Sequence, residues 1–551
     1  MELAPSHPPQ VCVVVIGYND AAHVTDAVRS ALGQEPAVRE VIAVDDCSTD
    51  GSGDILQRLA AEDPRLKVIR RTANSGGCGT PRNDGTDACT SPYVMFLDSD
   101  DVLPPGAATA LLNSAVAHGA DIASGLCVRR ELPPGHDEQS REGRGRRAAH
   151  PCRETPWLPE LHERPTLVAR PERRPALVRD ALCVGKLYRA AFLREHTIRF
   201  PDGRFPYEDV VFSARVLAAA PRIALIRDAV YVWHVRRAAE QLSISLDRSG
   251  IDNWRARTAA QRQAVEILLA AGEKKLARAV RAYSLDHPLR MYARELELRG
   301  PGYRRAWWAL TRAYLETFDA ADFDRAPAPG RVVARVVLAS EEPRDLPRLK
   351  ELASRPARLL PPYARAADGT PVWSQDLPQV SLDHLLLRPM HVLPVAVDAE
   401  LRPRARATRL RLRLHELYGR VGAAGPESVD VEFVDRQRGS PGLRRTAAFA
   451  PDPDDGDTWS ADVLVDLAAL ASGVWDLRLR LRFHDGTWRE TTAHAAAGPG
   501  LLRRSVLPSR RQGILLVQPY ATHSGSLAVR LAPGTRGVAD AARRRAARLF
   551  Q

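Results

Sequence analysis

The stretch Tyr93-Val94-Met95-Phe96-Leu97-Asp98-Ser99-Asp100-Asp101 decides how this chain reads. Five apolar or aromatic residues predict a buried strand, and an acidic tetrad follows at once. Three carboxylates in four positions repel one another unless a cation lies between them. Alternate residues at a strand end point to opposite sides, so Asp98 and Asp100 can reach different parts of one ligand. Hard oxygen donors suit Mg²⁺ or Mn²⁺, which complete their shells with phosphate oxygens. Taken alone, an Asp-x-Asp more often reads as a solvated acidic turn.

Upstream, strand and helix alternate with a short period. Val11 to Ile16 is a continuous β-branched run between Pro8-Pro9 and Gly17, the pattern of a buried parallel strand. Asp20 is a fitting N-cap for a helix with Val24, Val28 and Leu32 on one stripe. Val41 to Val44 predicts a second strand ending in Asp45-Asp46, and Ser52 a cap for the helix bearing Ile55, Leu56 and Leu59. Lys67 to Ile69 predicts a third strand. Repeated βα units imply an open parallel sheet with ligands at the carboxyl ends of its strands.

The chemically suggestive residues fall at those ends: Tyr18 and Asn19, then Asp45 and Asp46, then Asn74 to Arg82, then the tetrad. The loop Asn74-Ser75-Gly76-Gly77-Cys78-Gly79-Thr80-Pro81-Arg82 has the makings of a phosphate-facing turn. Its glycines permit close approach, Thr80 can cap, Pro81 suits the first helical position, and Arg82 adds a cation. No Gly-Lys-Ser/Thr follows, so it is not a Walker loop, and its glycine spacing is not that of a dinucleotide fold.

These segments together resemble glycosyltransferase family 2, the inverting transferases of GT-A fold. The resemblance rests on Val13 to Asn19, Val44 to Ser52, the Asn74 to Asn83 loop and Phe96 to Asp101, in order and spacing, and covers roughly the first 240 residues. It implies that Tyr18 stacks on the uracil of a UDP-sugar such as UDP-GlcNAc, with Asn19, Asn74 and Ser99 lining the donor. Asp45 or Asp46 would hold base or ribose, Arg82 would face the diphosphate, Asp98 the nucleotide sugar, and Asp100 would ligate Mn²⁺ or Mg²⁺. Ile16-Gly17 departs from the family, which more often has Pro or Ser near the aromatic.

Downstream, Arg204-Phe205-Pro206-Tyr207-Glu208-Asp209 precedes a helix with Phe212, Val216 and Leu217. An acidic pair there suits a helix N-terminus on dipole grounds alone. The resemblance implies more: Asp209 as the general base and Glu208 orienting the acceptor or the base. Inverting displacement needs one base for the acceptor proton and stabilisation of the departing diphosphate. Lys186, in Gly185-Lys186-Leu187-Tyr188, is by the same resemblance a candidate for acceptor binding. In Tyr231-Val232-Trp233-His234-Val235-Arg236-Arg237, leading to Leu242-Ser243-Ile244-Ser245, His234 would complete the metal shell and Arg236 touch the diphosphate, though a His beside a Trp also suits a packed structural role.

The chain has 551 residues and a formal net charge of +12, too long for one core and suited to anionic partners. With aromatics at only 6% and no basic-aromatic platform, nucleic acid is not expected as a partner. All seven cysteines lie between Cys12 and Cys183 and none forms Cys-x-x-Cys, which argues against disulfide or zinc scaffolding and for a reducing cytoplasm. No apolar run reaches the ~18–20 residues of a membrane span, and no signal peptide is evident.

Residues 1–250 are thus expected to form an α/β GT-A catalytic domain, with a mobile insertion over 131–174. Residues 251–325 predict a helical connector closed by Pro327, Pro329 and Gly330, and 326–378 a mixed linker. From 379 to 536 the period becomes two, with Leu410, Leu412 and Leu414, then Val429, Val431 and Phe433, then Leu477, Leu479, Leu481 and Phe483, which predicts a β-sandwich-like domain. Residues 537–551 form a basic tail able to meet an anionic membrane, though frayed basic termini look alike. Connector plus sandwich resembles wall teichoic acid glycosyltransferases, whose carboxyl-terminal parts support oligomerisation or polymer binding.

The expected activity is metal-dependent sugar transfer from a UDP-sugar to a hydroxyl of a cell-wall glycopolymer, teichoic acid or polysaccharide, or its lipid-linked precursor, by a homo-oligomer at the inner face of the membrane. A sugar-1-phosphate nucleotidyltransferase would need an amino-terminal glycine-rich loop with Arg and a downstream Lys, and neither is evident. A non-catalytic carbohydrate-binding or scaffold protein would have no reason to keep Asp98, Asp100 and Asp209 together.

Overall fold

In the computed structural model, residues 10–132, 153–236, 247–403, 408–453, 455–496, 501–502, 504–509 and 513–534 are described. The chain divides into two units, residues 1–284 and 285–551.

The first unit is built on the β-branched run. β1 (Val11–Gly17) is fully buried along most of its length and pairs in parallel with β2 (Val38–Asp45) and with β4 (Tyr93–Asp98), while β3 (Leu66–Arg70) extends the sheet beyond β2. The helices α1 (Val24–Leu32), α2 (Ser52–Glu62), α3 (Gly79–Ala88) and α4 (Ala107–His118) connect and flank these strands. Gly17 lies opposite Asp45, and Ile16 opposite Asp98, so the ends of β1, β2 and β4, the latter two acidic, reach one edge of the sheet together. A Cβ on Gly17 would stand 2.9 Å from the Ser99 Cβ, so the Gly at this position lets the tetrad turn close over β1.

The second half of the sheet is mixed. β5 (Ile122–Glu131) carries β6 (Arg153–Pro156) antiparallel at its far end; the one-turn helix α5 (Pro159–His162) and β7 (Thr166–Val168) follow. β8 (Lys186–Arg189), α6 (Ala190–Glu195), α7 (Glu208–Ala218) and β9 (Ile223–Val235) complete it, in the order β3-β2-β1-β4-β8-β5-β9-β7. The segment expected as a mobile insertion over 131–174 is therefore corrected in part. Residues 153–156 and 166–168 add strands to β5 and β9, because backbone pairing needs no side-chain periodicity; residues 133–152 lie outside the described residues.

Two caps differ from expectation. Asp20 precedes a turn and does not cap α1, whose N-cap is His23; its carboxylate goes to Ser99 and His23 instead. Ser52 is the first residue of α2, and its hydroxyl accepts the Asp20 N–H at 2.9 Å.

α8 (Ile251–Ala270) belongs to the first unit, burying Ala264, Val265 and Leu268 in its core, and α9 (Lys274–Leu296) crosses the division. In the second unit α10 (Pro301–Leu315) buries Trp307 and Trp308, and α11 (Ala320–Arg325) starts with a capping box at Asp319. Pro327, Pro329 and Gly330 do not close the helical region. Pro327 is the N-cap of α12 (Ala328–Ala339) and Pro329 sits in its first turn, where a missing N–H costs nothing. α13 (Leu346–Ala353) and a short hairpin, Ala364–Arg365 with Pro371–Val372, follow, so the expected mixed linker contains two helices.

Beyond it, the described residues form a five-stranded and a seven-stranded sheet. The period-two positions are buried as predicted: Leu410, Leu412, Leu414, Val429, Val431 and Phe433 are inaccessible to solvent. Their arginine neighbours form cross-strand pairs on the outer faces, such as Arg409 with Asp462 at 2.6 Å and both Arg444 and Arg482 with Asp430 at 2.9 Å. The tail over 537–551 lies outside the described residues. No helix among them is long and apolar enough to cross a membrane, and the six described cysteines are free.

Candidate active site

At the ends of β1 and β2 the backbone turns sharply, with Asn19 and Cys47 both at positive φ, 51° and 67°. Tyr18 is left 51% exposed, an aromatic face open to a ligand. Asn19 donates its N–H to Ser48 Oγ at 2.8 Å and accepts the Thr49 N–H on Oδ1 at 2.7 Å, which ties the two strand ends together. Asp45 is buried, accepts the Ser48 N–H and lies 3.6 Å from Arg70. Asp46 is also buried and pairs with Arg71 at 2.9 Å, while Asn74 Nδ2 and the Ser75 hydroxyl donate to it at 3.1 and 2.8 Å. These two carboxylates brace the loops around Tyr18.

The glycine-rich loop is folded inward. A Cβ on Gly79 would lie 2.1 Å from the Pro201 carbonyl, and one on Gly77 2.6 Å from the Gly203 carbonyl. The close approach that these glycines permit is to the 200–205 backbone, which leads into α7. Thr80 joins the same segment, accepting the Gly203 N–H at 2.8 Å.

In the tetrad the four residues separate by role. Ser99 donates to Asp20 at 2.7 Å. Asp101 is buried and accepts the Tyr231 hydroxyl and the His234 N–H, each at 2.7 Å. The Tyr231 hydroxyl in turn accepts the Asp98 N–H at 3.3 Å, so β9 holds the turn in place. Asp98 and Asp100 keep open faces. Asp100 still reaches solvent, yet the protein packed around it, followed by the charges of Asp98 and Asp20, pushes its carboxyl up to about 6; Arg236, 3.4 Å away, opposes this. A divalent cation would relieve that repulsion.

His234 packs against the same turn. Burial holds its imidazole down at about 4, so it is neutral near pH 7. Its Nδ1 lies 3.1 Å from the Asp100 carbonyl, which can only accept, so the proton is on Nδ1 and the lone pair on Nε2. Arg236 Nη1 contacts the same carbonyl at 3.1 Å. Arg237 and the Leu242 to Ser245 run lie outside the described residues.

The acidic pair sits at the start of α7, after Tyr207 at φ 66°. Arg82 binds both members and the tetrad: Nη2 meets Asp98 at 2.7 Å, and Nη1 meets Glu208 at 2.6 Å and Asp209 at 3.3 Å. At 3% exposure Arg82 is closed in among these carboxylates and above the Phe200 ring, so its charge serves them first and not an open diphosphate site. Burial works against that charge, but the surrounding anions outweigh it and keep Arg82 protonated. Burial, then the charge of Asp209, pushes Glu208 up to about 7. Asp209 Oδ2 also accepts the Cys183 N–H at 3.2 Å.

Lys186, a candidate for the acceptor from sequence, is engaged within the protein. Its Nζ lies 2.8 Å from the Asp180 carboxylate and donates to the Leu182 carbonyl. Sequence reading missed Asp20, Asp180, Cys183 and Tyr231. Of these only Tyr231 carried a signal, a phenol in a buried run, which needs a polar partner.

The sheet order, the strand-end carboxylates and the acidic helix start define a GT-A domain. Residues 12–195 match the model of glycosyl transferase family 2. Among curated relatives, the succinoglycan biosynthesis protein ExoO of Rhizobium meliloti (strain 1021) is 32% identical over 43% of this chain and 64% of its own. The poly(ribitol-phosphate) beta-N-acetylglucosaminyltransferase TarS of Staphylococcus aureus (strain Mu50 / ATCC 700699) is 28% identical over 42% of this chain and 36% of its own. The chain thus spans between about a third and just under two thirds of the length of these relatives. The crystal structure of S. aureus TarS superposes over 96% of this chain and 86% of its own, with TM-score 0.50 and 16% identity, a likeness of fold.

Proposed function

We propose that the protein transfers a sugar, with inversion, from a UDP-sugar such as UDP-GlcNAc to a hydroxyl of a cell-wall glycopolymer, teichoic acid or polysaccharide, or its lipid-linked precursor. The observation that carries this is Arg82, which gathers Asp98 from the donor side and Glu208 and Asp209 from the other into one cluster. A donor group and a base held by one guanidinium suit a single displacement. Asp209 takes the proton of the acceptor hydroxyl as that oxygen attacks the anomeric carbon, and the bond from that carbon to the diphosphate breaks on the opposite face.

Tyr18 stacks on the base, Asp45, Asp46 and Asn74 shape the loop beneath it, and Asn19 and Ser99 line the donor. Asp100 and His234, beside Asp98, would hold Mn²⁺ or Mg²⁺, which would neutralise charge on the departing diphosphate. Arg236, partly buried and 3.4 Å from the Asp100 carboxylate, is the cation next to that position. The names of the relatives, poly(ribitol-phosphate) and succinoglycan among them, support a polymer as acceptor. The β-sheets of the second unit are read as the part that recruits polymer or assembles the protein into a homo-oligomer, and the basic composition suits peripheral contact with an anionic membrane.

The test is UDP release from a panel of UDP-sugars, with polyol-phosphate and polysaccharide acceptors, in Mn²⁺ and in EDTA. Acceptor-dependent release in Mn²⁺ is expected. Absence of release with every UDP-sugar would remove the proposal.

A further inference from the structure

Residues 180–185 run as irregular backbone beside the acidic pair, just before β8. An irregular segment must place its carbonyls somewhere, and here they go to side chains and one neighbouring strand. Lys186 Nζ takes the Leu182 carbonyl, lies 3.4 Å from the Asp180 carbonyl, and pairs with the Asp180 carboxylate at 2.8 Å. Ser213 Oγ donates to the Ala181 carbonyl at 2.9 Å and the Tyr188 hydroxyl to the Cys183 carbonyl at 3.0 Å. The Gly125 N–H donates to the Gly185 carbonyl at 3.1 Å. Three side chains and one strand thus fix a strap of six residues.

The strap brings Cys183 to Asp209. Cys183 is fully buried, and its amide meets Asp209 Oδ2 at 3.2 Å, while Arg82 meets Oδ1 at 3.3 Å. The carboxylate is held at both oxygens, which sets the direction in which its remaining lone pairs point. A carboxylate held at one oxygen only could rotate, and proton abstraction requires a fixed approach to the hydroxyl.

We infer that Lys186 is a positioning residue for Asp209. Its ammonium, spent inside the protein on Asp180 and the Leu182 carbonyl, fixes the strap; the strap's Cys183 N–H and the Arg82 guanidinium together orient the base. Lys186 does not touch the acceptor. The inference rests on Asp209 acting as the base, and its chemistry names no additional ligand: the effect of Lys186 passes through the backbone of residues 180–183.

The experiment compares the full-length protein with Lys186→Met, Lys186→Arg and Asp180→Asn. Transfer kinetics are read together with hydrogen exchange of the 180–185 amides in the folded proteins. Lys186→Met is expected to lower kcat ~10–100-fold, with donor and acceptor KM within about 2-fold and faster exchange at Cys183. Lys186→Arg should recover most of the rate, because a guanidinium also reaches a carboxylate and carbonyls. Should Lys186→Met fail to fold, Asp180→Asn, which keeps an acceptor and removes the charge, is expected to move kcat and exchange in the same direction by a smaller factor. A raised acceptor KM with kcat kept would overturn the inference in favour of acceptor binding. Unchanged exchange at Cys183 would overturn it outright. A wild-type protein with no transferase activity would overturn the reading of Asp209 as a base, and the exchange result would then decide on the strap alone.

Discussion

Arg82 and Glu208 form the shortest contact of the acidic cluster, 2.6 Å between Nη1 and Oε1, and the pair lies away from solvent with Asp98 and Asp209 on the same guanidinium. Removing the cation leaves three carboxylates facing one another. Breaking a buried charge pair by deleting one partner typically costs ~3–5 kcal/mol. Arg82→Ala is expected to lose stability of that order in urea unfolding and to lose transfer. Arg82→Lys, a point charge that cannot serve three carboxylates in a fork, should fold and still lose ~10–100-fold in kcat. An Arg82→Lys protein with full turnover would show that the cluster is structural only.

Asp209→Asn is nearly isosteric and keeps an oxygen for the Cys183 N–H, yet it cannot take a proton. General-base catalysis typically contributes ~10²–10⁴-fold. Turnover should fall by that order while the affinity for UDP-sugar, read by calorimetry, changes little. If Asp209→Asn turns over normally, Asp209 is a helix-start residue and the base is elsewhere.

Glu208 gives a pH dependence with a definite sign. Its carboxyl moves from an ordinary 4.5 up to about 7 in the folded protein. Between those values the folded state holds more protons than the unfolded one, so this group's contribution to stability falls as pH rises, by up to ~1.4 kcal/mol per pH unit. Glu208→Gln removes the titration. Melting curves from pH 4.5 to 7 should show a smaller decline for Glu208→Gln than for wild type, and parallel declines would refute the assignment.

Asp100 and His234 are expected to act as one site. Asp100→Ala and His234→Ala should each weaken Mn²⁺ binding, followed by the paramagnetic resonance of the free ion, and should lower UDP release. His234→Ala should keep the melting temperature closer to wild type than Tyr231→Phe does. Tyr231 bonds the Asp101 carboxylate and the Asp98 N–H, so its loss strands a buried carboxylate. Full activity of Asp100→Ala in EDTA would exclude a metal-dependent route.

Much of the first unit was legible in the chain because its signals are local. A β-branched run, an acid at its end and a following stripe are read residue by residue, and β1, β2, β4 and the tetrad come out where the pattern puts them. The partners of Arg82 were not legible. Glu208 lies 126 positions away from it, and nothing in the composition of the Gly76 to Gly79 loop says that its glycines face the Pro201 and Gly203 carbonyls and not a phosphate. The partners of Lys186 were not legible either, since the Asp180 carboxylate and the Leu182 carbonyl meet its ammonium only once the strap is folded. Pro327 and Pro329 read as a stop, and only packing decides that a proline ends one helix or starts the next.

The position of β8 bears on how the chain comes off the ribosome. Leu187 pairs with Met95 on one side and with Ala123 on the other, so this late strand is the seam between β4 and β5. A nascent chain that has emerged only as far as residue 180 therefore leaves the β8-facing edges of β4 and β5 unpaired, together with the β9-facing edge of β5. Such edges invite pairing with neighbouring chains. Long-range pairing of this kind is slow to form. The first unit thus has a window of synthesis, from the completion of β5 to the arrival of β8 and then β9, in which these edges stay open.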